Sequence, residues 1–449
     1  MKKLFGDKDF YKRLGKLAMP IALQALLLSF VGASDTIMLG NLDQNSMSAV
    51  SLATQIQFVQ NLILMGVVAA FLILGAQYFG KNDKQTVDKL FFMQFRIAVV
   101  ASVCVATACL LCPTALMRLY TNEEVLIEIG TRYLRIAAFS YLMTGFSQCF
   151  LAMVKLNNRA TAAATISGVT VVLNIGLNAI FIFGLVGSPA MGAEGAALAT
   201  TISRFVELAM SLICVVRDKQ MRPNIAYIFT VDKNLRRDFN KQLVPLMGAQ
   251  LIWTLGMTSY SAFMGHISID AAASNSVIIV VRNLVHSFAQ GLASGGSILV
   301  GMVLGSGNLD KAKLYGYRLS ILSLFCGAFT ASASLLLTGP AIRFIKLSDG
   351  AVAIFKDMII IQAIYMIACS FNSVVINGIF AAGGDTTYDF YSLAVVMWGV
   401  AVPLAALGTF VFHWPAALVF ACTCLDEAGK IPWTIHHYRK YKWLKDLTR

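Results

Sequence analysis

Twelve blocks of apolar residues divide the chain, each of about 20 residues or more, enough at ~1.5 Å rise per residue to cross a ~30 Å hydrocarbon core as a helix. They fall near 15–39, 48–78, 90–112, 127–152, 160–184, 193–216, 242–263, 274–304, 315–339, 352–380, 388–412 and 415–437. Within lipid every backbone polar group must bond inside the protein, so unbroken runs of this length read as membrane helices. The longest stretch between blocks is 217–241, which leaves no room for an aqueous domain. Composition agrees: 57% of the 449 residues are hydrophobic and 13% charged, about half the charged fraction of a soluble protein.

The formal charge of +13 is placed by topology. With the N-terminus inside, the inner loops hold 26 Lys and Arg, and the outer loops only Arg118, Arg132, Arg343 and Lys346. This asymmetry follows the positive-inside rule, puts both termini in the cytoplasm and argues against nucleic-acid binding. The first apolar run is too long for a cleaved signal and is expected to stay in the mature protein. Nine cysteines sit within the apolar blocks without paired spacing, so neither disulfides nor a zinc site is expected.

The two halves resemble each other. Laid one over the other at a single constant offset, they place Pro20 on Pro245, Gly40 on Gly265, Leu74 on Leu299 and Gly80 on Gly305. Six spans per half give both copies the same orientation, a parallel repeat related by an axis along the membrane normal. The expected fold is therefore all-α and integral to the membrane. Two six-helix bundles would surround a central cavity: an N-lobe over 1–220, a cytoplasmic linker over 221–241 and a C-lobe over 242–449. Such a repeat suits alternating access.

Ionisable groups inside a membrane are costly, so each is a candidate site. Asp35 lies ~28 Å along the first span from Lys16, with no Lys or Arg within 15 residues. A desolvated carboxylate there is relieved by taking a proton or a cation. Asn174 and Asn178 share one face of the fifth span at i, i+4, and Thr200 reaches a similar depth from the sixth. One carboxylate, two amides and a hydroxyl suit a small hard cation or a proton relay; interhelical hydrogen bonding is the alternative. Arg282 and His286, at i, i+4 in the eighth span, are candidates for the pathway lining or for structure. Arg204 with Glu207, and Asp426 and Glu427 with Lys430, have spacings that let them neutralise one another.

Several segments resemble the multidrug and toxic compound extrusion (MATE) family. In the first half they are Pro20, 35–40, 48–53, 75–80, Leu173-Asn174, Asn178, 183–184 and 192–200. In the second they are 383–386, Trp398 and Pro403. The resemblance implies export of bulky, often cationic organic compounds in exchange for inward H+ or Na+, with no further cofactor. It implies coupling at Asp35 together with Asn174, Asn178 and Thr200, and no metal beyond a possible Na+ at Asp35. The NorM-like subgroup carries acids in its seventh and tenth spans, where this chain has Trp253 and Ser370, so the DinF-like branch fits better. The remaining expectations are small organic substrates and membrane lipids as partners, function as a monomer, and a bacterial inner membrane. The alternative on a related scaffold is a flippase for lipid-linked or polysaccharide precursors. No HExxH, GxSxG with partners or Walker-type loop appears, so neither an enzyme nor an ATP-driven pump is expected.

Overall fold

The computed structural model describes residues 8–448 apart from 188, 231, 345 and 346. The side chains of 30–33, 35–37, 186 and 344 also fall outside the described residues. Lys2, Lys3, Lys346 and the side chain of Asp35 are therefore not described.

Among the described residues there are twelve long helices and no strand. They are α1 Lys8–Gly40, α2 Gln44–Gly80, α3 Lys84–Leu111, α4 Glu124–Leu156, α5 Ala160–Phe183, α6 Gly192–Arg217, α7 Lys233–Ile267, α8 Ile269–Gly305, α9 Leu309–Leu336, α10 Asp349–Phe380, α11 Thr387–Phe410 and α12. Helix α12 consists of three pieces, Ala416–Thr423, Leu425–Ala428 and Lys430–Arg439. Counting described residues alone, nine of the twelve are long and apolar enough to cross a membrane.

The repeat read from the sequence recurs in the helix boundaries. Helices α2, α3 and α4 begin at Gln44, Lys84 and Glu124, and α8, α9 and α10 at Ile269, Leu309 and Asp349. All three pairs keep the offset that lays Pro20 on Pro245. Helices α2 and α8 are both 37 residues long, and α3 and α9 both 28. Pro20 and Pro245 occupy matching places inside α1 and α7; each removes one backbone donor and kinks its helix. The turn after α2 uses Asn82 at φ 60, and the matching turn after α8 uses Gly307 at φ 77. This left-handed conformation is open only to glycine and a few polar residues. The same backbone path is thus built twice with different side chains.

The second half departs from regular helix in two places. Helices α10 and α11 carry wide π turns over Ser373–Phe380 and Leu393–Ala401. Such turns cluster at functional sites. Helix α12 breaks at Cys424 and Gly429. Pro432 contributes, because it has no N–H for the carbonyl of Ala428 and its ring crowds that carbonyl.

The chain forms two compact units. One comprises 1–26, 73–83 and 238–449; the other comprises 27–72 and 84–237. The units do not follow a single cut at the linker: the start of α1 and the end of α2 belong with the C-terminal helices. In that first unit α2 and α8 meet where both lack side chains. A Cβ at Gly80 would lie 1.9 Å from the Met302 carbonyl oxygen, and one at Gly305 would lie 1.8 Å from that of Gln77. Close crossings built on small residues are the usual packing of membrane helices, since lipid supplies no hydrophobic drive between them. Gln77 is fully buried. Its amide donates to the Ala382 and Lys445 carbonyls, and its oxygen accepts from the Leu447 amide at 2.6 Å. The C-terminal segment is thereby fastened to the α2 end.

In the second unit, the linker is pinned to α3. Lys84 Nζ donates to the Arg222 carbonyl at 2.8 Å, the Asn224 amide donates to Asp88 at 3.2 Å, and Arg96 donates to the Thr230 carbonyl at 3.3 Å.

Candidate coupling site

The N-terminal candidates come from α5 and α6, and the local sequence explains why these helices lie so close. Helix α6 opens Gly-Ala-Glu-Gly-Ala-Ala, and a Cβ on Gly195 would sit 2.6 Å from the Phe181 carbonyl of α5. The loop closes tightly, with the Met191 amide donating to the same Phe181 carbonyl at 2.9 Å. That crossing brings Thr200 beside Asn174.

The three polar side chains form a chain of hydrogen bonds. Asn178 Nδ2 donates to Asn174 Oδ1 at 3.2 Å, and Asn174 Nδ2 donates to Thr200 Oγ1 at 3.3 Å. Asn174 and Asn178 are buried. Spacing at i, i+4 on α5 thus places the two amides in contact, and the structure adds Thr200 to them. Asp35 belongs to α1, but its side chain lies outside the described residues.

Asn174 and Thr200 open onto a cleft that continues along α5 and α6 past Thr170 and Ser203 to Arg204 and Glu207, with Leu28 of α1 on its wall. The inner end is an ion pair, Arg204 to Glu207 at 2.6 Å. Glu207 is 1% exposed and also accepts from the Ser147 hydroxyl at 2.7 Å. A buried carboxylate is tolerable when its lone pairs meet donors in this way. The cleft therefore runs from neutral oxygens and amides at one end to a neutralised pair at the other. This lining suits a small hydrated cation or a proton better than an anion.

In the first unit Arg282 lines a separate cleft with Tyr260, Ser261, Asn275 and Thr423. His286 is bonded at 2.9 Å to Ser373, the first residue of the π stretch in α10. Trp253 is exposed, and the Ser370 hydroxyl bonds Thr330 at 3.1 Å. These two positions hold no carboxylate, as the sequence already showed.

The last span differs from its expected pairing. Lys430 bonds Glu427 at 2.7 Å, and the Asn372 amide donates to the Glu427 carboxylate and carbonyl. Asp426 does not share in this: it is 1% exposed and both carboxylate oxygens lack a well-placed donor. Sequence spacing alone could not separate the two neighbouring acids.

A duplicated set of twelve helices, with amides and hydroxyls gathered along an internal cleft of one unit, defines a multi-pass membrane transporter. The chain belongs to the MatE family, whose profile matches residues 20–180 and again residues 245–407. The two matches start at Pro20 and Pro245, the offset found in the sequence and in the helix boundaries. The chain is 24% identical over 406 residues to the uncharacterized transporter YisQ of Bacillus subtilis, covering 90% of this chain and 88% of that protein. It is 24% identical over 398 residues to a probable multidrug resistance protein NorM of Thermotoga maritima, covering 88% and 85%. Among solved structures, a MOP superfamily transporter from Pyrococcus furiosus superposes with a TM-score of 0.87 at 16% identity, covering 99% of this chain and 98% of that one.

Proposed function

We propose that this chain is a secondary active exporter of small organic compounds, often cationic, that takes H+ or Na+ inward for each export cycle. The observation that carries the reading is the buried hydrogen-bonded series Asn178, Asn174 and Thr200 opening onto a cleft within one unit of a MatE-family fold. Asp35, on α1, supplies the carboxylate. When ionised it holds the coupling ion beside neutral amide and hydroxyl oxygens, and when substrate binds it gives the ion up. The two sequence halves, 1–220 and 242–449, alternate access through the linker 221–241. Each chain works as a monomer in a bacterial inner membrane, with both termini in the cytoplasm and no cofactor other than the coupling ion.

The test is reconstitution in liposomes with a fluorescent organic cation, under an imposed Na+ gradient or, separately, an imposed pH gradient. Export driven by one of the two, and abolished by Asp35→Asn at equal protein level, is the expected result. Movement driven by neither gradient, with transfer of a labelled lipid-linked precursor instead, refutes drug antiport in favour of a flippase.

A further inference from the structure

The C-terminal helices contain a carboxylate that the coupling site leaves unexplained. Asp426 is almost completely buried, and apart from the backbone amide of Glu427, which lies outside good hydrogen-bond geometry, no donor serves its oxygens. Leaving a buried charge unmatched is among the most expensive arrangements in a protein, and more so in lipid. Native structures rarely keep such a group without a use.

Its surroundings are built unusually. Asp426 lies in Leu425–Ala428, a single turn between the interruptions of α12 at Cys424 and Gly429, both of which keep right-handed helical dihedrals. That turn packs against the π stretch of α11 and against α10. Irregular backbone at membrane depth is tolerated where it is buried in protein or lines a polar cavity. A cleft of the same unit is bordered by Tyr260, Asn275, Arg282 and Thr423, and of these Tyr260 and Arg282 lie within electrostatic reach of Asp426. The Tyr260 hydroxyl is a second buried group without a partner.

Charged and titratable groups of several helices act on Asp426. Arg282 of α8 and Lys430 of its own helix attract it, and Glu427 repels it. Tyr260 of α7, Tyr365 of α10 and Cys424 also lie within its electrostatic reach. Lys430 is already engaged by Glu427 at 2.7 Å and also lies within reach of Asp389 of α11. His286 and Cys369 lie within the fields of Arg282 and Glu427. Arg282, half-buried on the cleft wall, is the remaining cation among these groups.

We propose that Asp426 is a proton-exchange site of the C-terminal helices, separate from the N-terminal site. Asp426 is neutral when an O–H bond forms on its carboxylate and anionic when that proton passes to water in the Arg282 cleft. The anion is then balanced by Arg282. A proton fits this place better than a metal ion. Cations already stand on two sides, and a hard metal ion needs several oxygen ligands, whereas a proton needs one. The proposal does not depend on the role given to Asp35.

Infrared difference spectra of the purified full-length protein between about pH 5 and about pH 9 read this directly, since they report carboxyl groups that change protonation in that range. Asp35→Asn serves as the background, so that Asp35 contributes nothing. The expected result is a carboxylic-acid C=O band that appears at low pH, is absent from Asp35→Asn/Asp426→Asn and moves in frequency in Asp35→Asn/Asp426→Glu. Should the double variant with Asn fail to fold, the frequency shift with Glu carries the test alone. No band dependent on residue 426 overturns the proposal. So does a band that is equal in the absolute spectra at both pH values, the mark of a permanently protonated structural acid. Removal of the band by Na+ at fixed pH assigns the site to a metal cation and overturns it too.

Discussion

The Gly80–Gly305 crossing makes a sharp quantitative demand. Gly80→Ala would put a Cβ 1.9 Å from the Met302 carbonyl oxygen, where real Cβ atoms keep at least 3.0 Å. The obstacle is backbone, so no side-chain rotation relieves it, and α2 and α8 must part by about 1.1 Å at this point. Overpacking of this kind costs about 1–3 kcal/mol, and a rigid obstacle puts this site at the upper end. Replacing a helical glycine returns about 1 kcal/mol of backbone entropy, which leaves a net loss of about 2 kcal/mol. Gly305→Ala meets the Gln77 carbonyl at 1.8 Å and should cost as much. The double variant should cost less than the sum, because one separation relieves both contacts. Gly176→Ala in α5 is the control, since nothing lies within 4 Å of its Cβ, and it should be neutral or stabilising by up to about 1 kcal/mol. Thermal melting of the purified variants, followed by tryptophan fluorescence, measures all four. Gly80→Ala melting at or above the Gly176→Ala temperature would refute the reasoning.

Three further outcomes follow from the second unit. Asn178→Leu removes the donor to Asn174 and leaves that buried oxygen short of a partner, at about 1–3 kcal/mol; gradient-driven export should fall while the protein still folds, as flux and melting assays show. Glu207→Leu strips Arg204 and the Ser147 hydroxyl of their acceptor, and breaking a buried pair from one side costs about 3–5 kcal/mol; Glu207→Leu/Arg204→Met should recover much of the lost melting temperature. Asp43, before α2, accepts from the Ser46 hydroxyl and backbone amide, which hold its carboxyl below the usual range. A depressed folded value stabilises above the ordinary carboxylate value and loses that benefit as pH falls through the folded one. Asp43→Ala should therefore lower the melting temperature at neutral pH and leave it unchanged in strong acid.

Much of this architecture is legible in the residues because the bilayer is such a restrictive solvent. Apolar length marks the spans, and Pro20 over Pro245 and Gly80 over Gly305 betray the duplication. The contact between Asn174 and Asn178 follows from helical spacing, and the pair of Arg204 with Glu207 does too. What spacing cannot carry is irregular backbone. Spacing lets Lys430 reach either Asp426 or Glu427, and only the folded structure shows that Glu427 takes it. The π turns of α10 and α11 shift the register of each residue beyond them, and no residue pattern in Ser373–Phe380 announces them. The union of 1–26 and 73–83 with the C-terminal helices is equally silent in sequence, since its close approaches, Gly80 against the Met302 backbone and Gly305 against the Gln77 backbone, join opposite halves of the chain.

The central claim is that Asp35 couples ion flow to export and does not merely hold the substrate or the fold. Exchange and accumulation of the same labelled organic cation, measured in one liposome preparation, separate these roles. Asp35→Asn is expected to keep substrate-for-substrate exchange across the membrane without a gradient, and to lose accumulation against a concentration difference when the driving gradient is imposed. Accumulation at the unsubstituted level in Asp35→Asn would contradict the assignment.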